Sequence, residues 1–190
     1  SIFVAEVAST VNENILNDHL LKTIDDEKKR IYLLNNWLEG FRGTVFRQTM
    51  FAEFEHIIHK LDQDGVALTA EKLTEEYYAL NKKYFGDDLT IDEEIGLEWA
   101  RIPHFYFNYY VYQYATGYSA AIALSNQILQ EGQPAVDRYI NEFLKAGSSN
   151  YPIEVLKKAG VDMTSAAPIE EACRVFEERL TELENLLLNK

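Results

Sequence analysis

Apolar residues recur along the chain at intervals of three and four, the spacing that gathers them on one side of a helix. Phe3, Val7, Val11 and Ile15 step by four and predict a first helix over residues 2–23. Ile31, Leu34, Leu38, Phe41, Val45, Phe51, Phe54 and Ile58 predict a long helix or a kinked pair over 26–61, with Gly40 and Gly43 marking the kink. The Asp62–Gly65 stretch reads as a turn, and Thr69 is placed to cap a third helix ending near Tyr84. After the Gly86-Asp87-Asp88 loop, Asp92, Glu93 and Glu94 give the next helix an acidic start that complements its dipole. Pro103 interrupts, and helix is expected to resume over 104–130. Gln133-Pro134, Tyr151-Pro152 and Pro168 open three more. In the last of these, Ile169, Ala172, Phe176, Leu180, Leu183 and Leu187 keep heptad-like spacing. Strict alternation of apolar and polar residues, the mark of a half-buried strand, is absent. The pattern predicts one all-α unit with no internal repeat and no linker.

Charge narrows the partners. The 190 residues carry a net charge of −13, which argues against nucleic acid and anionic membranes, since both need clustered Lys and Arg. No apolar run approaches the roughly 18 residues of a membrane span. Cys173 is the sole cysteine, so no internal disulfide can form and a reducing cytoplasm is expected. The chain opens at Ser1 in the middle of a helical pattern, without an initiator Met, which points to a piece of a longer protein.

Two segments carry candidate chemistry. In the first helix, Glu6 stands among apolar and small residues, an expensive place for a carboxylate without a partner. Seven helical residues return Glu13 to within about 20° of Glu6. The same spacing fits two carboxylates facing solvent. The second segment runs from His104 to Tyr118 and is dense in tyrosine. On one continuous helix His104, Tyr114 and Tyr118 would project within about 80° of each other. Spacing alone favours an aromatic core seam here, with a satisfied histidine.

The stretch from Ser1 to Asn14 resembles the metal-ligand helix of the M3 peptidase family, in its oligoendopeptidase F branch. In that family a His-Glu-x-x-His helix supplies two zinc ligands and the catalytic base. A Glu on a later helix, followed seven residues on by Glu-Asn, supplies the third ligand. Glu6, Glu13 and Asn14 match that later pattern, and the resemblance implies Glu6 as a Zn2+ ligand and Glu13 as a residue holding a ligating His in place. His-Glu-x-x-His itself occurs nowhere in the chain. The family also places a His and a series of Tyr ending in Gly-Tyr where His104 and Gly117-Tyr118 stand, to hydrogen-bond the peptide backbone and the tetrahedral intermediate. Ala115 and Val111 occupy expected Tyr positions, so Tyr114 rests on helical geometry, and Tyr109 and Tyr112 stay open. Phe46 to Glu55 and Ser119-Ala120-Ala121 are similar to the same branch, and together the matching segments run in family order from Ser1 to Ala121.

The resemblance implies the C-terminal part, residues 1–190, of a single helical catalytic domain in a cytoplasmic zinc endopeptidase. Its partners would be short peptide substrates and the N-terminal remainder of the same enzyme, and the chain alone would be inactive. The competing expectation is an acidic helical interaction module that docks partners through the Tyr segment. His56 and His59, beside Glu53 and Glu55, read better as an ordinary helix surface, with Ile57 and Ile58 on the buried side. Asp62 to Gly65 lacks the later ligands of a calcium loop.

Overall fold

The computed structural model describes residues 2–188. Eight α-helices follow in order among them: α1 (Val7–Thr23), α2 (Glu27–Phe41), α3 (Arg47–Gln63), α4 (Ala70–Phe85), α5 (Tyr112–Glu131), α6 (Gln133–Arg138), α7 (Pro152–Lys158) and α8 (Ala167–Leu188). Turns of 3-10 helix lie at Ile2–Val4, Glu93–Arg101 and Pro103–Phe107, and wider π-helical turns at Arg42–Phe46 and Tyr139–Leu144. No strand occurs among the described residues, so the all-α expectation is met. The chain divides into two compact units, residues 1–45 with 116–190, and residues 46–115.

Caps and interruptions fall where local chemistry puts them. Asp26 accepts from the Lys29 amide at 3.0 Å to open α2, and Thr69 accepts from the Lys72 amide at 3.2 Å to open α4. Beside Gly40 and Gly43, where a kink is expected, the regular α-helix is interrupted by the π-helical turn Arg42–Phe46. Other expectations need correction. The first helix does not span 2–23: a 3-10 turn at Ile2–Val4 comes first, and Glu6 takes the N-cap position of α1, with its carbonyl accepting from the Thr10 amide. The segment after Asp92 is 3-10 rather than α-helix. Helix does not run unbroken over 104–130, because Asn108 and Tyr109 adopt left-handed backbone, φ 48° and 57°, between a 3-10 turn and α5.

In the larger unit, α5 is buried through its middle, and the small side chains Ser119, Ala120, Ala121 and Ala123 admit neighbours closely. Val7 and Val11 of α1 join Ala120, Leu124, Tyr139, Phe143 and Leu156 in one core. Leu34, Leu38 and Phe41 of α2 join Ile122, Ala172, Val175 and Leu183 in another, and α2 packs along α8. The heptad spacing of α8 is only partly used, since Ile169, Leu180 and Leu187 stay exposed.

The smaller unit closes around Met50, Phe51, Phe54, Tyr77, Leu80, Ile102 and Val111. Gly96 lets the 93–101 segment lie against α4, where an added Cβ would sit 2.9 Å from Thr74 Cγ2 and 3.3 Å from the Thr74 carbonyl. The buried Glu98 then faces three donors: Tyr77 Oη at 2.7 Å, Arg47 at 2.6 Å, and Arg101. Burial alone would raise its carboxyl, but the bonds from Tyr77 and Arg47 outweigh burial and hold it below the usual range. Burial and the Glu98 charge together push the Tyr77 phenol well up.

Candidate active-site residues

Glu6, Glu13 and Tyr118 belong to the larger unit. Glu6 is exposed at the N-cap of α1, and Ser9 Oγ donates to its Oε2 at 3.1 Å and to its carbonyl at 2.9 Å. Glu13 is exposed one position before the buried Asn14. Because α1 starts after Glu6, the seven-residue projection from Glu6 to Glu13 holds only from Val7 onward. Both carboxylates lie in solvent, which removes the desolvation cost the pattern of neighbours suggested.

Asn14 fixes that stretch of α1. Its Nδ2 donates to the Thr10 carbonyl at 2.9 Å, and its Oδ1 accepts from Trp37 Nε1 at 2.6 Å. The Arg179 guanidinium lies 4.0 Å from the Trp37 ring centroid and donates to Asn17 Oδ1 at 2.6 Å. Burial lowers the Arg179 pKa, an effect offset in part by Asp18, Tyr118 and Glu182. Helical spacing puts both on the apolar stripes, Trp37 three past Leu34 and Arg179 three past Phe176, but nothing in that spacing pairs them with each other or with Asn14.

Gly117 brings α5 against the chain just before α1. A Cβ there would stand 3.2 Å from the Phe3 carbonyl oxygen and 3.8 Å from Val7 Cγ2, a close approach that glycine alone makes without displacement. Tyr118 follows at once. Its ring meets Phe41 edge-on, centroids 5.9 Å apart, and its hydroxyl reaches to 3.7 Å from where a Gly40 Cβ would lie. That hydroxyl makes no hydrogen bond among the described residues. Burial pushes the phenol up to about 12, with the Glu13 charge adding to the rise and Arg179 opposing it.

His104 and Tyr114 belong to the smaller unit, and the broken segment gathers them. The His104 ring stacks on Tyr110 (5.5 Å, 10°) and meets Tyr114 edge-on (5.8 Å, 88°). Tyr114 Oη lies 3.4 Å from His104 Nε2 and 3.4 Å from Tyr110 Oη. The pairing of His104 with Tyr114 thus arises from a chain that turns back on itself, and the 80° helical projection does not apply. Tyr110, which that projection passes over, becomes the third member. Tyr109 instead turns to α3, where its amide donates to Glu55 and its ring stacks on His59, and Tyr112 is exposed. Ile57 and Ile58 are half-buried and pack against the core of this unit, and Phe54 and Glu55 beside them are buried more fully. One signal for the break was present in Asn108, a residue type that tolerates left-handed backbone.

No three His, Cys, Asp or Glu side chains converge as a metal site among the described residues. An exposed carboxylate steadied by a serine hydroxyl, as at Glu6, fits one oxygen ligand of a zinc ion and no more.

The helical scaffold as a whole has a close counterpart of known structure. It superposes on the crystal structure of oligoendopeptidase-F from Enterococcus faecium with a TM-score of 0.95, at 57% identity, over 100% of this chain and 36% of that one. The sequence matches peptidase family M3 over residues 1–175, and the chain belongs to that family. Oligopeptidase PepF of Bacillus subtilis (strain 168) is 73% identical over 188 residues, covering 99% of this chain and 28% of the relative. The chromosomal oligoendopeptidase F of Lactococcus lactis subsp. cremoris is 53% identical over 186 residues, covering 98% of this chain and 31% of the relative. The chain therefore spans less than a third of the length of these curated relatives.

Proposed function

We propose that this chain is the C-terminal part of a single catalytic domain in a cytoplasmic zinc endopeptidase that hydrolyses short oligopeptides. The observation that carries the reading is the close approach of Gly117 to the Phe3 carbonyl and to Val7 at the start of α1, with Tyr118 seated beside it on Phe41. Two motifs more than a hundred positions apart, each matching the family on its own, lie against one another in one unit.

In this reading Glu6 gives the metal one carboxylate ligand, and the remaining ligands come from the rest of the protein. Glu13, one position before the anchored Asn14, orients a ligating His through a hydrogen bond. Bound zinc contributes a Lewis acid and lowers the pKa of water toward ~7. The Tyr118 phenol, raised to about 12, keeps its proton at neutral pH and donates to the substrate oxygen as negative charge develops there. His104 and Tyr114 hold and hydrogen-bond the peptide backbone, with Tyr110 fixing the plane of the imidazole by stacking.

Metal analysis of the complete protein tests this reading. Glu6→Gln should lose most of its zinc on dialysis, and Glu13→Gln should retain the metal with a roughly 10–100-fold loss in affinity or activity. Full zinc in dialysed Glu6→Gln would remove Glu6 from the ligand set.

A further inference from the structure

Glu55 belongs to none of the groups above, yet it is the most conspicuous charged side chain of the smaller unit. It is 1% exposed, in the middle of α3. One carboxylate oxygen, Oε1, accepts the Tyr109 amide at 2.5 Å. The other, Oε2, is buried with no hydrogen-bond partner among the described residues. A carboxylate so placed is costly, and packing alone would be served better by an apolar residue.

Its partner gives it a purpose. Tyr109 is the second of two consecutive non-glycine residues with positive φ, and Asn108 is the first. Each costs free energy and persists only where its surroundings impose it. The Tyr109 amide donates to the Glu55 side chain, which is fixed in the middle of α3. His59, one turn along α3, stacks on the Tyr109 ring at 4.6 Å, with its Nε2 4.0 Å from Glu55 Oε1. The turn is thus gripped at both backbone and side chain. It is also the point where the chain reverses between the 3-10 turn bearing His104 and the helix bearing Tyr114. Without the reversal, the stack of His104 on Tyr110 and the 3.4 Å approach of Tyr114 Oη to His104 would not form.

We propose that Glu55 is a positioning residue for substrate handling: by accepting the Tyr109 amide it holds the left-handed Asn108–Tyr109 turn, and that turn sets His104, Tyr110 and Tyr114 against one another. The proposal rests on the reading that this cluster binds the peptide. Glu55 itself need not touch substrate, and its effect passes through the backbone.

The experiment uses the complete protein and four variants. Glu55→Leu fills the buried volume without an acceptor, and Glu55→Gln keeps one. Asn108→Val opposes left-handed backbone at an exposed position, and Asn108→Gly favours it. Hydrogen exchange of peptides covering residues 105–113 is read beside the melting temperature and kcat/KM on a short fluorogenic peptide. Glu55→Leu and Asn108→Val should each speed exchange of that segment by about 10–100-fold and lower kcat/KM by roughly 10–100-fold. Glu55→Gln and Asn108→Gly should stay near wild type in both. Unchanged exchange in Glu55→Leu overturns the latch. If that variant fails to fold, Asn108→Val decides the matter, because its side chain lies outside the core. Faster exchange with wild-type kcat/KM overturns the positioning role and leaves Glu55 as structural. Wild-type protein that cuts no peptide refutes the proposed function separately, and the exchange data still judge the latch.

Discussion

Tyr118 stands where packing and chemistry make different demands on one side chain. Its ring is seated on Phe41, while its hydroxyl forms no hydrogen bond among the described residues. A donor that meets its acceptor only when charge develops there contributes to kcat and little to ground-state binding. In the complete protein, Tyr118→Phe should therefore lower kcat by about 10²–10³-fold, with small changes in KM, zinc content and melting temperature. A purely structural Tyr118 gives near-normal kcat in steady-state assays. At this scale the sequence offered candidates where a motif is contiguous, as in Gly117-Tyr118 and Glu13-Asn14. It was silent on Tyr110 and Glu55, whose surroundings come from residues distant along the chain.

Among the elements, the 93–101 segment and α4 depend on a charge that local sequence does not reveal. Glu98 reads as one more acidic residue near a helix start, yet it is buried among Tyr77, Arg47 and Arg101. Its carboxyl titrates below the ordinary value in the folded protein. Its contribution to stability is thus complete above the unfolded-state pKa, near 4.5, and is lost as pH falls from there through the lower folded value. Glu98→Gln should cost about 1–3 kcal/mol at neutral pH. Melting curves from neutral to acid pH should converge for wild type and variant. Parallel loss in both would assign the acid sensitivity to other groups. Helix extents were largely legible, including the Thr69 cap and the interruption near Gly43. The break at Asn108 was less so: Asn tolerates left-handed backbone, but the aromatic residues around it also fit a helix and do not require the chain to leave it.

For the whole molecule, the donor count sets the expectation. The chain lacks His-Glu-x-x-His, and no group of three ligating side chains converges among its described residues. The 190-residue chain by itself should bind zinc weakly and hydrolyse no peptide, as isothermal titration with Zn2+ and a peptide assay would show. Chelator-sensitive turnover by this chain would place the active site elsewhere.

From sequence alone came the all-α class, the approximate helices and the family resemblance, because a 3.6-residue period and a contiguous motif are local properties that no distant contact has to supply. The tertiary structure decided that Glu6 stands at the N-cap position of α1 instead of lying within it. It decided also that Gly117 is pressed against the Phe3 carbonyl, and that a reversal held by Glu55 brings His104 to Tyr114. Each of these depends on what a neighbouring element places at a given backbone group. A buried carboxylate 54 positions away can hold a left-handed turn that local preference resists, and no reading of the residues around that turn contains it.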